Sequence, residues 1–176
     1  MTGKSHLLIG LMSTAAVHRI YFNLADNWLE VALVGAVAAV GALLPDIDSD
    51  ESTIRQATGT ARSNGCIGRV ASALLRVFGG HRVLTHTLVM WLALSAIAWF
   101  VGNALGVNAL AVAFSVGYLS HLIADAVTVD GIPALWPISQ RRVCLLPSFI
   151  AVRTGGIFEY GLLVVMGVWL VGLWRT

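Results

Sequence analysis

The fold is decided by residues 109–128, ALAVAFSVGYLSHLIADAVT, an apolar run broken only by a histidine and an aspartate near its end. A helix needs about 20 apolar residues to cross a bilayer, so this run predicts a membrane-spanning helix. His121 and Asp125 are four residues apart, which places them on one helix face. Ionisable groups in such a helix are costly and usually functional, so the pair indicates a site. A buried structural pair is the alternative.

The rest of the chain also has the composition of a membrane protein. Of its 176 residues, 57% are hydrophobic and 11% are charged, whereas soluble domains are roughly half apolar and one quarter charged. Further apolar runs cover residues 28–44, 87–106 and 157–174, and a weaker one covers 6–22. We therefore predict an all-α polytopic membrane bundle of about five transmembrane helices, forming a single domain over residues 1–176.

The lysines and arginines predict an orientation, because cytoplasmic loops are enriched in them. If residues 6–22 cross the membrane, nine of the eleven lie on one side and two on the other. This pattern predicts a multi-pass plasma-membrane protein with five crossings, a cytoplasmic N-terminus and an outer C-terminus. The alternative is that residues 6–22 lie on the membrane surface.

In this topology all candidate metal ligands lie at the cytoplasmic face, at the ends of the predicted spans. They are His6, Asp46, Asp48, His81, His86, His121 and Asp125, with Glu159 at the start of the last span. Taken singly, each has a simpler interpretation, such as a solvated helix end for the aspartates. Mixed imidazole and carboxylate ligands suit zinc first, with manganese or iron as alternatives, and so many ligands indicate two or more divalent ions.

The long loops 45–86 and 129–156 lie on the same predicted face. In the first, four arginines recur every seven residues: Arg55, Arg62, Arg69 and Arg76. This spacing suits one side of an interfacial helix that docks on anionic lipid head groups. The alternative is that they are solvated arginines that only satisfy the charge rule.

Five ordered strings resemble the inner-membrane, metal-dependent hydrolases described as LexA-regulated or LexA-binding. They are HLLIG (6–10), LLPDID (43–48), HRVLTH (81–86), GYLSHLIADAVTVDGIPALWP (117–137) and RTGGIFE (153–159). The resemblance covers nearly the whole chain and implies that the seven histidines and aspartates named above form the metal site, with Glu159 as an addition. The family often has His-Pro where this chain has Ser49-Asp50, and Ser where it has Thr87. A more distant similarity to zinc-dependent phospholipase C implies phosphoester hydrolysis.

The function expected from this resemblance is a membrane-bound metal-dependent hydrolase. A site at head-group depth favours a phosphoester of a lipid or lipid-linked substrate, so membrane lipids are the expected partners. The expected catalytic residues are Asp46, His121, Asp125 and Glu159. Arg82 and Arg153 are candidates to bind phosphate, although both also satisfy the charge rule.

Two other classes remain open from the sequence. A metal-ion or proton transporter also uses intramembrane His and Asp, but here the polar residues cluster at one face and do not continue across the bilayer. A non-catalytic adaptor would use the metal to staple its helices and its basic loops to bind a protein. A nucleic-acid partner is not expected, because the polar loops offer few aromatic residues for stacking bases.

Overall fold

The computed structural model describes residues 1–21, 27–46 and 84–175. Within these ranges the chain forms five α-helices and no strand, which confirms the all-α prediction. The helices are α1 (Gly3–Tyr21), α2 (Trp28–Leu43), which continues into a 3-10 turn (Leu44–Asp46), α3 (Leu88–Leu105), α4 (Asn108–Ala126) and α5 (Ile157–Arg175).

Three of the described helical segments are long and apolar enough to cross a membrane. They are Trp28–Asp46, Leu88–Leu105 and Asn108–Ala126. Helix α5 is apolar over the shorter stretch Ile157–Leu173, and α1, although 19 residues long, is not among the candidate spans. Five helices are therefore confirmed, three of them as candidate membrane spans, while crossing by α1 and α5 stays a prediction.

Helix α4 is the centre of the bundle and packs against α1, α2 and α3. Its contact with α2 is a close approach of two backbones. A Cβ on Gly117 would collide with the carbonyl oxygen of Ala38, and a Cβ on Gly41 would collide with that of Phe114. Small residues allow such contacts between helices in a membrane, where dispersion and hydrogen bonds hold helices together. This packing brings the end of α2 against the end of α4.

The turn that precedes α3 is fixed from two sides. The hydroxyl of the buried Tyr118 donates to the carbonyl of Thr85 at 2.6 Å. The backbone N–H of Leu88 donates to the carbonyl of Ala134 at 3.0 Å, which ties the turn to the segment after α4. Thr87 caps α3, because its hydroxyl accepts from the N–H of Met90 at 3.1 Å.

The segment between α4 and α5 has structure of its own without regular strands. Isolated bridges pair Thr128 with Val152 and Ile132 with Val143. Helix α5 then packs mainly against α1. The predicted arginine stripe of the first long loop lies outside the described residues.

Candidate metal centre

Five of the predicted ligands come together in the fold, although they lie in four separate segments of the chain. His6 is on α1, Asp46 ends the 3-10 turn after α2, His86 lies in the turn before α3, and His121 and Asp125 lie on α4. We call these five residues the His/Asp cluster. Two overlapping sets of three can each hold an ion: His6, Asp46 and His121, and His86, His121 and Asp125, with the ligand atoms of each set within 4.8 Å of one another.

Asp125 is the most connected member of the cluster. Its Oδ2 lies 3.4 Å from His86 Nε2 and 3.5 Å from His121 Nε2. Its Oδ1 lies 3.1 Å from His6 Nε2 and 2.8 Å from the amino group of Met1. One carboxylate therefore faces three imidazole rings, as the i, i+4 spacing on α4 requires for His121.

Asp46 faces the same rings from the end of α2. Its Oδ1 lies 3.6 Å from His86 Nε2, and its Oδ2 lies 3.9 Å from His121 Nε2. The side chains of Asp46 and Asp125 are 11% and 17% exposed, whereas those of His6 and His121 are fully buried. The cluster is therefore accessible from its carboxylate side.

The orientation of His121 is set by the close approach of α2 and α4. Its Nδ1 lies 2.7 Å from the carbonyl oxygen of Ala42, and because a carbonyl only accepts, Nδ1 carries the hydrogen. In the neutral ring, Nε2 therefore presents its lone pair to Asp46, Asp125 and His86. A histidine whose second nitrogen is held by a carbonyl in this way is typical of metal ligands in proteins.

His86 is also oriented by a hydrogen bond, and its pKa is shifted by burial and by the two carboxylates of the cluster. Its Nδ1 lies 3.1 Å from the hydroxyl of Thr85, and its Nε2 lies 3.3 Å from His121 Nε2. Burial lowers the pKa of the His86 imidazole, but its contacts with the carboxylates of Asp125 and Asp46 outweigh burial and raise the pKa above its ordinary value. The two carboxylates thus make a site that favours positive charge.

His6 provides an independent indication of a bound cation. It is fully buried and stacks on His121, with ring centroids 3.7 Å apart. Neither of its ring nitrogens has a hydrogen-bond partner among the described residues. The 3.1 Å separation from Asp125 is an ion-pair distance without hydrogen-bond geometry. Buried polar groups are nearly always satisfied, so an orphaned imidazole beside two carboxylates fits a metal ligand.

The remaining predicted site residues are placed differently. Glu159 lies outside the cluster, where its buried carboxylate accepts hydrogen bonds from Thr2 and Gly155. Arg153 is exposed in the turn before α5. The predicted residues outside the described part of the chain are Asp48, His81 and Arg82.

His18 marks the opposite end of α1 from the cluster. Its ring nitrogens lie 3.1 Å from the carbonyl oxygens of Thr14 and Ala109. Ala109 is in the first turn of α4, whereas His121 and Asp125 are in its last two turns. Within the described residues, four of the five histidines are present, and three of those four gather at one end of the bundle.

The residues that orient the ligands were not predicted from the sequence. The carbonyl of Ala42 and the hydroxyls of Thr85 and Tyr118 hold His121 and His86 in place. A backbone carbonyl carries no residue-specific signal. Gly41 and Gly117 were the available clue, because small residues in two apolar runs indicate a close helix contact.

Comparison with known proteins places the chain in a family. The family model described as YdjM inner membrane protein matches residues 1–175. The uncharacterised protein YvsG of Bacillus subtilis is 32% identical over 160 residues, which cover 90% of this chain and 85% of YvsG. The inner membrane protein YdjM of Escherichia coli is 32% identical over 152 residues, which cover 80% of this chain and 68% of YdjM. The Shigella flexneri YdjM matches equally.

No solved structure matches this chain. The inner-membrane part of the resemblance drawn from the sequence is confirmed by these matches, and the candidate spans agree with it. The chain belongs to the YdjM inner membrane protein family.

Proposed function

We propose that this protein is a metal-dependent hydrolase of the inner membrane that cleaves a phosphoester of a lipid or lipid-linked substrate at the cytoplasmic interface. The observation that carries the proposal is the convergence of three histidines and two aspartates from four segments of the chain into the His/Asp cluster. Buried charges of this density are costly unless they are paired or coordinate a metal. A bound cation accounts for the arrangement.

The donor set decides which ions are proposed. Imidazole nitrogens together with carboxylate oxygens suit zinc first, and manganese or iron as alternatives. The two three-residue sets share His121, whose Nε2 offers a single lone pair, so without added ligands the sets would be alternative ways to hold one ion. We therefore propose two ions in one centre with Asp48 and His81 as the further ligands that the second ion requires.

Divalent ions in this centre would supply Lewis-acid assistance to hydrolysis of a phosphoester. The side chains of the cluster have two different roles. The buried imidazoles hold the centre in place, while the partly exposed carboxylates of Asp46 and Asp125 face the accessible side. There a carboxylate oxygen can accept the proton of an attacking water as general base. Arg153 is exposed in the turn before α5 and is proposed, with Arg82, to bind the phosphate.

A second candidate is a non-catalytic adaptor in which the metal staples the bundle. The observation that favours it is that the cluster joins α1, the end of α2, the turn before α3 and α4. An ion bound there would hold these elements together even if the protein hydrolysed no substrate. A transporter has less support, because the ionisable pair of α4 lies at one end of that helix.

Hydrolysis by detergent-purified protein separates the two candidates. Wild type, His121→Ala and Asp125→Asn are compared for bound zinc, manganese and iron and for turnover of phosphatidic acid, phosphatidylglycerol and bis-p-nitrophenyl phosphate. The matched control is Asp130→Asn, which makes the same substitution at an exposed aspartate after α4. The hydrolase requires turnover that Asp125→Asn loses and Asp130→Asn keeps. If the protein binds metal but hydrolyses none of these substrates, the result would favour the non-catalytic adaptor over the hydrolase.

A further inference from the structure

The carboxylate of Glu159 connects the first turn of α5 to the first turn of α1. Glu159 is fully buried, and three donors surround it. The backbone N–H of Thr2 donates to Oε1 at 3.0 Å, and the hydroxyl of Thr2 donates to the same oxygen at 2.9 Å. The N–H of Gly155 donates to Oε2 at 2.8 Å. Residues 157 positions apart in the chain are thus joined by one side chain.

The two carboxylate oxygens have different tasks. Oε2 closes the turn that begins α5, where Gly155 adopts a left-handed backbone with φ of 75°. A residue that only capped its own helix would need no more than this local bond. Oε1 instead accepts two hydrogen bonds from Thr2, which immediately precedes α1. The local role therefore leaves two of the three hydrogen bonds of Glu159 unexplained.

Thr2 is in turn hydrogen-bonded to His6, one of the proposed metal ligands. Its hydroxyl accepts from the N–H of Ser5 at 3.3 Å, and its carbonyl accepts from the N–H of His6 at 3.0 Å. Thr2 therefore caps the first turn of α1. The backbone N–H of His6 is bonded to this cap, so the position of Thr2 determines the position of the His6 ring.

His6 depends on this restraint more than the other ligands do. Its ring nitrogens have no hydrogen-bond partner among the described residues, whereas Ala42 orients His121 and Thr85 orients His86. Stacking on His121 sets the plane of the His6 ring, and its Nε2 lies 3.1 Å from Asp125 Oδ1 without a hydrogen bond. Asp125 accepts from the amino group of Met1 at 2.8 Å, and the start of α1 is held in addition from outside the cluster. Helix α5, which packs mainly against α1, carries the group that does so.

We propose that Glu159 is a positioning residue that holds the start of α1 and thereby places His6 in the metal centre. The inference rests on the proposed metal centre and deepens it. It assigns Glu159 to neither metal binding nor catalysis, because both of its oxygens are occupied by hydrogen bonds and neither of the three-residue sets includes it.

The test is a double-mutant cycle on metal affinity. Zinc and cobalt binding are titrated for wild type, Glu159→Gln, His6→Ala and the double variant, each purified in detergent with a C-terminal tag. The Gln side chain keeps the size but cannot accept from Thr2 and Gly155 at once. Glu159→Gln should raise the dissociation constant of the ion held by His6 about tenfold, which is in the range found for residues that orient metal ligands.

The double variant decides how Glu159 acts. If Glu159 works through His6, the double variant binds no more weakly than His6→Ala, and the absorption bands of bound cobalt change in the same way in all three variants. The matched control is Glu30→Gln, an exposed glutamate in the first turn of α2, which should bind like wild type.

Substitutions of Thr2 repeat the test without touching the carboxylate. Thr2→Val removes the hydroxyl that donates to Glu159 and caps α1, so zinc binding should weaken as in Glu159→Gln. Thr2→Ser keeps the hydroxyl and should restore binding.

The possible failures are distinguishable. If wild type binds no ion, the proposed metal centre is wrong and this inference falls with it. If wild type binds ions and both Glu159→Gln and Thr2→Val bind as tightly, only the positioning role is overturned. Losses that add in the double variant would make Glu159 an independent ligand, which also overturns the inference.

Discussion

The packing of α2 against α4 is predicted to control both stability and metal affinity, and Gly117→Ala is the perturbation that separates these helices. A Cβ on Gly117 would overlap the carbonyl oxygen of Ala38 and lie within 3.2 Å of the Ala38 Cα. These contacts are all with backbone atoms, so no side chain can rotate away. The two helices must move apart.

The size of the effect follows from this geometry. Overpacking of a close contact costs about 1–3 kcal/mol of unfolding free energy. The displacement also draws the Ala42 carbonyl away from His121 Nδ1, one helical turn along the same contact, where the hydrogen bond is now 2.7 Å long. Loss of such an orienting partner lowers metal affinity by about 10- to 100-fold.

Thermal unfolding in detergent micelles, followed by tryptophan fluorescence, and zinc titration measure the two effects. The matched control is Gly161→Ala on α5, where a Cβ meets no atom within 4 Å. That variant should be unchanged or more stable by about 0.5–1 kcal/mol, because alanine favours a helix over glycine. If Gly117→Ala matched Gly161→Ala in both stability and zinc affinity, the argument that helix contact orients His121 would be refuted.

Two further predictions concern the turn that carries His86. Tyr118→Phe leaves the Thr85 carbonyl without its 2.6 Å donor and should cost about 1–3 kcal/mol of unfolding free energy, whereas Tyr160→Phe, at an exposed position, should cost nothing measurable. Equal stability of the two variants would contradict this role of Tyr118. Because the pKa of His86 is raised, its proton competes with a metal ion at and below that pKa, so zinc affinity should increase as pH rises from about 5.5 to 8. Titration at several pH values measures this, and a flat profile would exclude His86 as a ligand.

The helices could be predicted from the sequence because the apolar runs are long and their ends are marked. The predicted run 87–106 is the helix Leu88–Leu105, and Gly106 ends it with a left-handed backbone, φ of 70°. The run predicted to end at Thr128 ends as a helix at Ala126, since the Thr128 hydroxyl turns back to donate to the Asp125 carbonyl. Such a local bond competes with helix continuation and is not visible in hydropathy.

The cluster could be predicted only in part. Helical spacing placed His121 beside Asp125, and the charge pattern brought the ends of the predicted spans to one face. The pattern could not show that Glu159 contacts Thr2, because the apolar sequence of α5 does not determine which helix it packs against. Nor could it show that a backbone carbonyl, that of Ala42, fixes the tautomer of His121. Contacts of these kinds depend on tertiary packing.

The metal content of detergent-purified protein tests the central claim most directly. Elemental mass spectrometry is applied to wild type, to the His121→Ala, Asp125→Asn double variant and to Asp130→Asn. The proposed centre predicts about two or more zinc, manganese or iron ions per chain in wild type and Asp130→Asn, and their loss in the double variant. Absence of metal from the wild type, or equal metal in all three proteins, would contradict it.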